Sequence, residues 1–285
     1  MISAAKFVSV IILILMSSFS KTINEEEHAA KWKLVWQDEF NYSGLPDPKK
    51  WSYETGHVRN EEKQFYTAAR KDNVCALNGK LIITGRKENF PNEFYKKGNN
   101  DWRYENEFAH YTSASIHTKK YEGWKYGKIE VRAKLPTGKG MWPAIWMMGT
   151  NHDSAGWPVC GEIDIMEFVG SDPEYVHGSL HFFDPKIEYR SGGSKISNTS
   201  ADTFHTYAVE WDKIKINFCR DGVIYHSFPI DEAGTGIENP FRKPFYLKIN
   251  LAMGATWPGP IDDKILPQKF IIDYVRVYKK TNAAK

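Results

Sequence analysis

Short runs in which apolar and polar residues alternate recur along this 285-residue chain, separated by turns that contain Gly or Pro. Lys80–Thr84, Lys128–Leu135, His205–Trp211, Lys213–Cys219, Phe245–Leu251 and Phe270–Tyr278 each have the alternation or the β-rich composition of a strand. No helical period is sustained for long. In Lys128–Leu135 the alternation is strict, so one set of side chains faces a core and the charged set faces water. The run 271–278 alternates less cleanly and is expected to be better buried. Arg220-Asp221-Gly222 reads as a hairpin turn. Many short strands with such turns predict an all-β sandwich of two sheets, which a chain of this size can form as one domain.

The first residues follow a different rule. Lys6 precedes an apolar run from Phe7 to Met16, and small residues follow at Ser18 and Ser20. The run is too short to span a bilayer, which argues against a membrane anchor and predicts a secretory signal over 1–20. Residues 21–31, with Glu25, Glu26 and Glu27, form a solvated lead-in, and 32–280 form the domain. The protein is therefore expected to be secreted, to the periplasm or beyond the cell, with no membrane association after cleavage. The formal charge is +3, and no basic block is present that would track a phosphate backbone, so nucleic acid is not an expected partner. A monomer is expected. Cys75, Cys160 and Cys219 are an odd set for an exported protein. They allow at most one disulfide, leave the pairing of Cys75 with Cys219 open, and match no zinc spacing.

The segment Gly161-Glu162-Ile163-Asp164-Ile165-Met166-Glu167-Phe168 changes the picture, because three carboxylates sit inside an apolar, strand-forming run. Burying even one unpaired charge is costly. On a plain strand Glu162 and Asp164 share a face while Glu167 points the other way. A β-bulge at Ile165-Met166 would restore the phase and turn all three into one cleft. Residues four effective steps apart on a strand have α-carbons roughly 13 Å apart. Two long Glu side chains leaning together can close the carboxyl gap to the range of about 5 to 5.5 Å that a retaining glycosidase uses. The same acids could instead alternate onto a solvated face, or hold a hard cation.

The surroundings favour a sugar. Trp142 and Trp146 are four residues apart, so on an extended chain both rings lie on one side, and Trp157-Pro158 precedes the acidic strand. Such rings stack on sugar faces or pack a core. His177 and His181 also share a strand face; a zinc pair would need a third ligand that is not evident, and His181 is better suited to a sugar hydroxyl.

Taken with Leu34 to Phe40, Tyr66-Thr67, Tyr126 to Glu130, Trp142-Pro143-Ala144 and Asp273 to Tyr278, the acidic segment resembles glycoside hydrolase family 16, specifically its laminarinase-like branch, over nearly all of the mature chain. The resemblance implies a β-jelly roll with a concave sheet forming an open groove, endo action, and hydrolysis with retention. It implies Glu162 as nucleophile, Asp164 as auxiliary acid and Glu167 as acid/base, with no cofactor in catalysis. The extra residue at Met166 points to β-1,3-glucan as the partner, with mixed-linkage β-1,3-1,4-glucan as a second candidate. Asn60 is implied as a sugar contact, although Arg59-Asn60-Glu61-Glu62 departs from the family's usual pair of Asn before an acid. Ser115 stands where the family often has Arg, and the insertion 92–106, with Trp102 and Arg103, is expected to reshape a rim. By position, Glu39, Gly79 and Asp273 resemble ligands of a structural Ca²⁺ that would add stability rather than chemistry.

Two rivals share that fold. A lectin would not need a buried acid trio. An enzyme for sulfated galactans would need basic residues at the cleft, and the sequence shows no Arg clustered near the acids.

Overall fold

The computed structural model describes residues 32–197 and 202–281; the signal and lead-in lie outside the described residues. Two compact units divide what is described. Leu34–Tyr278 is the main body, and Trp32, Lys33 and 279–281 belong to a small terminal unit.

Seventeen strands are present among the described residues. They are β1 (Trp32–Asp38), β2 (Ser52–Tyr53), β3 (Gln64–Tyr66), β4 (Val74–Leu77), β5 (Lys80–Pro91) and β6 (Phe108–Ser113). Next come β7 (Ser115–His117), β8 (Gly127–Lys134), β9 (Met141–Gly149), β10 (Glu162–Glu167), β11 (Tyr175–Phe182) and β12 (Arg190–Ser197). The last are β13 (His205–Trp211), β14 (Lys215–Arg220), β15 (Val223–Pro229), β16 (Phe245–Met253) and β17 (Gln268–Lys280). One sheet runs β15-β14-β13-β8-β17-β5-β6-β3, with β1 on β17 and β4 on β5; the other runs β12-β11-β10-β9-β16-β7-β2. Among the pairings of β2–β17 with one another, only the short β3–β6 pair is parallel. The two-sheet all-β sandwich expected from the alternation, and the jelly roll implied by the family resemblance, are what the chain forms.

The core lies between the sheets, and period-two patterning fills it from both sides. On β8, Ile129, Val131 and Ala133 point inward. On β16 every residue is buried, but in two directions: Phe245, Leu247, Ile249, Leu251 and Met253 enter the core, while Tyr246, Lys248 and Asn250 belong to the opposite face. Strand β17 explains its own uneven alternation. Its register against β8 slips between Ile272 and Tyr274, so Phe270 and Ile272 face inward on one phase and Val275 and Val277 on the other.

The hairpin at Arg220-Asp221-Gly222 joins β14 to β15, with Asp221 at φ 50° and Gly222 at φ 78°. All three cysteines are free thiols. The insertion folds on itself: Asn92 Nδ2 donates to the carbonyls of Arg103 and Asn106, Trp102 packs edge-on against His57, and Arg103 pairs with Asp101.

Candidate active site

Strand β10 enters the sheet through Gly161, whose φ of +78° and whose closeness to Pro240 leave no room for a Cβ (2.6 Å). Against β9, Glu162 lies opposite Met148, Asp164 opposite Trp146 and Glu167 opposite Ala144. Those partners are two residues apart each time, so the three acids share one face. The register slips between Asp164 and Met166, which is the bulge expected at Ile165-Met166. Ile163, Ile165, Met166 and Phe168 all enter the core. An unbulged strand would turn Met166 out and Glu167 in. It would lose about 1.5–3 kcal/mol of side-chain burial and add the larger cost of a carboxylate among hydrocarbons.

Across β11 the acids face His181, Ser179 and His177 in turn. Ser179 Oγ lies 2.8 Å from Asp164 Oδ2 and 3.2 Å from Glu167 Oε2. A hydroxyl has one proton, so Ser179 donates to one acid and can accept from the other when that acid is protonated. Trp142 Nε1 donates to Glu167 Oε1 at 3.1 Å. His181 Nε2 is 3.0 Å from Asp164 Oδ2, and its Nδ1 is 2.6 Å from the Tyr189 hydroxyl.

Burial, with Asp164 adding to it, pushes the Glu162 carboxyl up to about 8. Burial and then Glu162 push Glu167 up to about 7. Asp164 is also raised well above the usual carboxylate range, by burial and then by Glu167. Three carboxyls this close cannot all ionise, so protonated and ionised acids coexist near neutral pH. That is the condition two-carboxylate hydrolysis requires.

The five residues expected to contact sugar, Asn60, Trp142, Trp146, Trp157 and His181, line a cavity of about 290 Å³ together with the acids. They do not contribute alike. Trp157 is 49 % exposed and offers an open face, with Tyr189 beside it at 5.3 Å between centroids. Trp146 is only 6 % exposed; Lys248 and Arg59 lie over its ring at 4.1 and 5.1 Å, and its Nε1 donates to Asn250. Trp146 thus forms part of the cleft floor, with two cations against its ring. Trp102 does not line this cavity.

Of the cleft residues that sequence reading missed, four carry large or polar side chains central to the site: Arg59, Tyr189, Asn250 and Trp257. Trp257, in Ala255-Thr256-Trp257-Pro258, carried the same signal as Trp157-Pro158, an aromatic before Pro in a turn. It packs edge-on against Trp142 and His177. The other three had no local signal.

Among the described residues the only group of three metal-capable side chains is Glu162, Asp164 and His181, with ligand atoms within 4.8 Å of one another. His177 is not in it, so the His177–His181 pair makes no zinc site. The calcium ligands expected at Glu39, Gly79 and Asp273 fit poorly. Arg276 holds the Glu39 carboxylate through two bonds (2.7 and 2.9 Å), and Arg132 and Lys80 hold Asp273. Gly79 sits in the β4–β5 turn at φ +70°. A cation there would have to compete with those bound cations for the same oxygens.

The model of a protein family described as glycosyl hydrolases family 16 matches residues 50–276. A β-glucanase of Rhodothermus marinus is 40% identical over 268 residues, covering 90% of this chain and 88% of that protein. The solved laminarinase from Rhodothermus marinus superposes with a TM-score of 0.76 at 39% identity, over 90% of this chain and all (100%) of the other. A structure from work on endo-acting O-glycanases, with which prominent members of the human gut microbiota initiate mucin breakdown, gives a TM-score of 0.81 at 40% identity, covering 88% of this chain and 91% of that one.

Proposed function

The chain belongs to glycosyl hydrolase family 16, and from that premise we propose that it is a secreted, endo-acting β-glucanase that cleaves β-1,3-glucan or mixed-linkage β-1,3-1,4-glucan with retention of configuration. The observation that carries this reading is the bulge that brings Glu162, Asp164 and Glu167 onto one face of an aromatic-lined cleft.

In the first step ionised Glu162 attacks the anomeric carbon while protonated Glu167 gives its proton to the leaving glycosidic oxygen. A covalent glycosyl-enzyme forms and the aglycone departs. Glu167, now ionised, then takes a proton from water as that water attacks the same carbon and releases Glu162. Asp164, which shares a hydrogen bond with Glu162, can hold the proton that Glu162 must shed before it attacks. Ser179 and Trp142 orient Glu167, and His181 with Tyr189 braces Asp164. The two carboxyls account for every bond made and broken, so no cofactor enters the scheme.

The preference for β-glucan draws on the named activities of the relatives, and secretion draws on the first twenty residues. NMR of the first products formed from laminarin tests the mechanism: the β-anomer should appear first, and net inversion would refute it. Glu162→Ala and Glu167→Ala should each remove nearly all turnover with the fold intact.

A further inference from the structure

Tyr189 enters the cleft from the loop between β11 and β12, and that loop is folded rather than loose. The Asp184 carboxylate accepts from the Lys186 N–H at 2.8 Å, and its carbonyl accepts from the N–H groups of Ile187 and Glu188. Glu188 takes left-handed backbone, φ 62°, immediately before Tyr189. The Tyr189 hydroxyl thereby arrives 2.6 Å from His181 Nδ1, with the two ring planes within 8° of each other. Parallel rings stacked face to face lie about 3.5 Å apart, so a contact of 2.6 Å puts the hydroxyl at the edge of the imidazole rather than over its face. That edge is where the lone pair of a bare ring nitrogen points.

The other nitrogen of His181 is committed as well. Nε2 is 3.0 Å from Asp164 Oδ2, and Ser179 Oγ lies 2.8 Å from the same oxygen. A neutral imidazole has one N–H and one bare nitrogen, and the partner of one nitrogen decides which form is present. A phenol proton given to Nδ1 leaves the ring proton on Nε2, where it is donated to Asp164.

We propose that Tyr189 is a positioning residue for the hydrolysis, which holds His181 in its Nε2–H form so that Asp164 keeps its own proton on Oδ1 for the use of Glu162. Oδ2 then only accepts, from Ser179 and from His181. A proton that Asp164 takes from Glu162 settles on Oδ1 and is returned as a hydrogen bond to the Glu162 carboxylate, which stabilises the ionised nucleophile. In the opposite form bare Nε2 faces Oδ2 and draws that proton away from Glu162. Glu167 on β10, Cys160 in the turn before it, Arg59 between β2 and β3, and Lys248 on β16 also surround Glu162 and act on its charge through space. Across β12 His181 meets uncharged Ser191. The inference rests on the reading of the cleft as a retaining glycanase site and deepens it.

NMR that correlates the imidazole nitrogens with their ring protons, on the intact protein near pH 7, tests the proposal, with the His181 signals assigned by their loss in His181→Gln. Nδ1 should show the shift of a bare nitrogen and Nε2 that of a protonated one. Tyr189→Phe keeps the ring and loses only the hydroxyl, and the Nε2–H form should then no longer be the sole one. In that variant kcat on laminarin should fall about tenfold with KM held within about twofold, the size of one hydrogen bond to a charged group acting after binding. The acid limb of its kcat/KM–pH profile should move to higher pH by about half to one unit, because Glu162 ionises less readily. A parent His181 protonated on Nδ1, alone or together with Nε2, overturns the proposal. So does a Tyr189→Phe variant with the parent's ring signals and acid limb, whatever happens to its KM or Tm. Retention of configuration beside either result leaves the hydrolase reading standing, whereas a parent that does not cleave β-glucan with retention defeats that reading and this inference with it.

Discussion

Replacing Glu162 by Gln should abolish turnover and, at the same time, make the protein more stable at neutral and alkaline pH. Burial pushes this carboxyl up to about 8, whereas an unfolded chain has it in the ordinary range near 4.5. Between those values the folded protein binds a proton that the unfolded chain has released. Unfolding therefore becomes easier as pH rises through the window, by at most about 1.4 kcal/mol per pH unit. Over a window of about 3.5 units the ceiling is about 5 kcal/mol. Asp164 and Glu167 share protons with Glu162, so a single replacement recovers only part of it, about 1–2 kcal/mol at pH 8. For a domain of this size that is a rise in Tm of about 3–6 °C. Gln keeps the shape and the hydrogen bond to Asp164 while removing the charge. Urea denaturation of both proteins at several pH values from 4.5 to 8.5, with laminarin hydrolysis as the activity control, provides the comparison. The stability gap should open as pH rises and vanish near pH 4.5. A variant as pH-sensitive as the parent, or less stable at pH 8, would show that the trio does not carry the burden of burial assigned to it.

Trp142→Phe removes the indole donation that favours the Glu167 carboxylate, so the Glu167 pKa should rise above about 7 and the alkaline limb of the kcat/KM–pH profile should move to higher pH by up to about one unit; an unmoved limb would separate Glu167 from the acid step. Burial alone would raise Glu54, but Arg59 and Lys248 prevail and hold it well below the usual carboxylate range. Its stabilisation is thus present above that range and is lost as pH falls through it. Glu54→Gln removes the carboxylate that pairs buried Lys248 and half-buried Arg59 and should cost about 3 kcal/mol in denaturant unfolding at pH 7, against less than about 1 kcal/mol for exposed Glu238→Gln. Gly170→Ala would set a methyl 1.8 Å from the Gly138 carbonyl oxygen, beside the hydrogen bond from Gly170 N to Met141 O. Backbone must move there, so a loss of more than about 2 kcal/mol and a fall in kcat are expected from chemical denaturation and kinetics.

The sequence alone determined what depends on near neighbours. Strict alternation in Lys128–Leu135 decides which side of β8 is wet, and the unphased spacing of Glu162, Asp164 and Glu167 demands a bulge, because Ile165 and Met166 both gain by entering the core. The acid trio and the indoles before or near Pro were legible for the same reason. The Glu39 and Asp273 carboxylates, expected from position to hold calcium, meet Arg276, Arg132 and Lys80 in the folded chain, partners that no local pattern announces. Only the tertiary structure decided the charge of the cleft. No local pattern reveals that Lys248 lies across from Trp146, that Arg59 crosses the same ring, or that Tyr189 reaches His181. Strand period is set within a few residues, but those meetings depend on which strands pair and in what register, with the Trp146–Asn250 bond alone spanning 104 residues. Basic residues scattered along the chain become a cluster only once the sheet has been assembled.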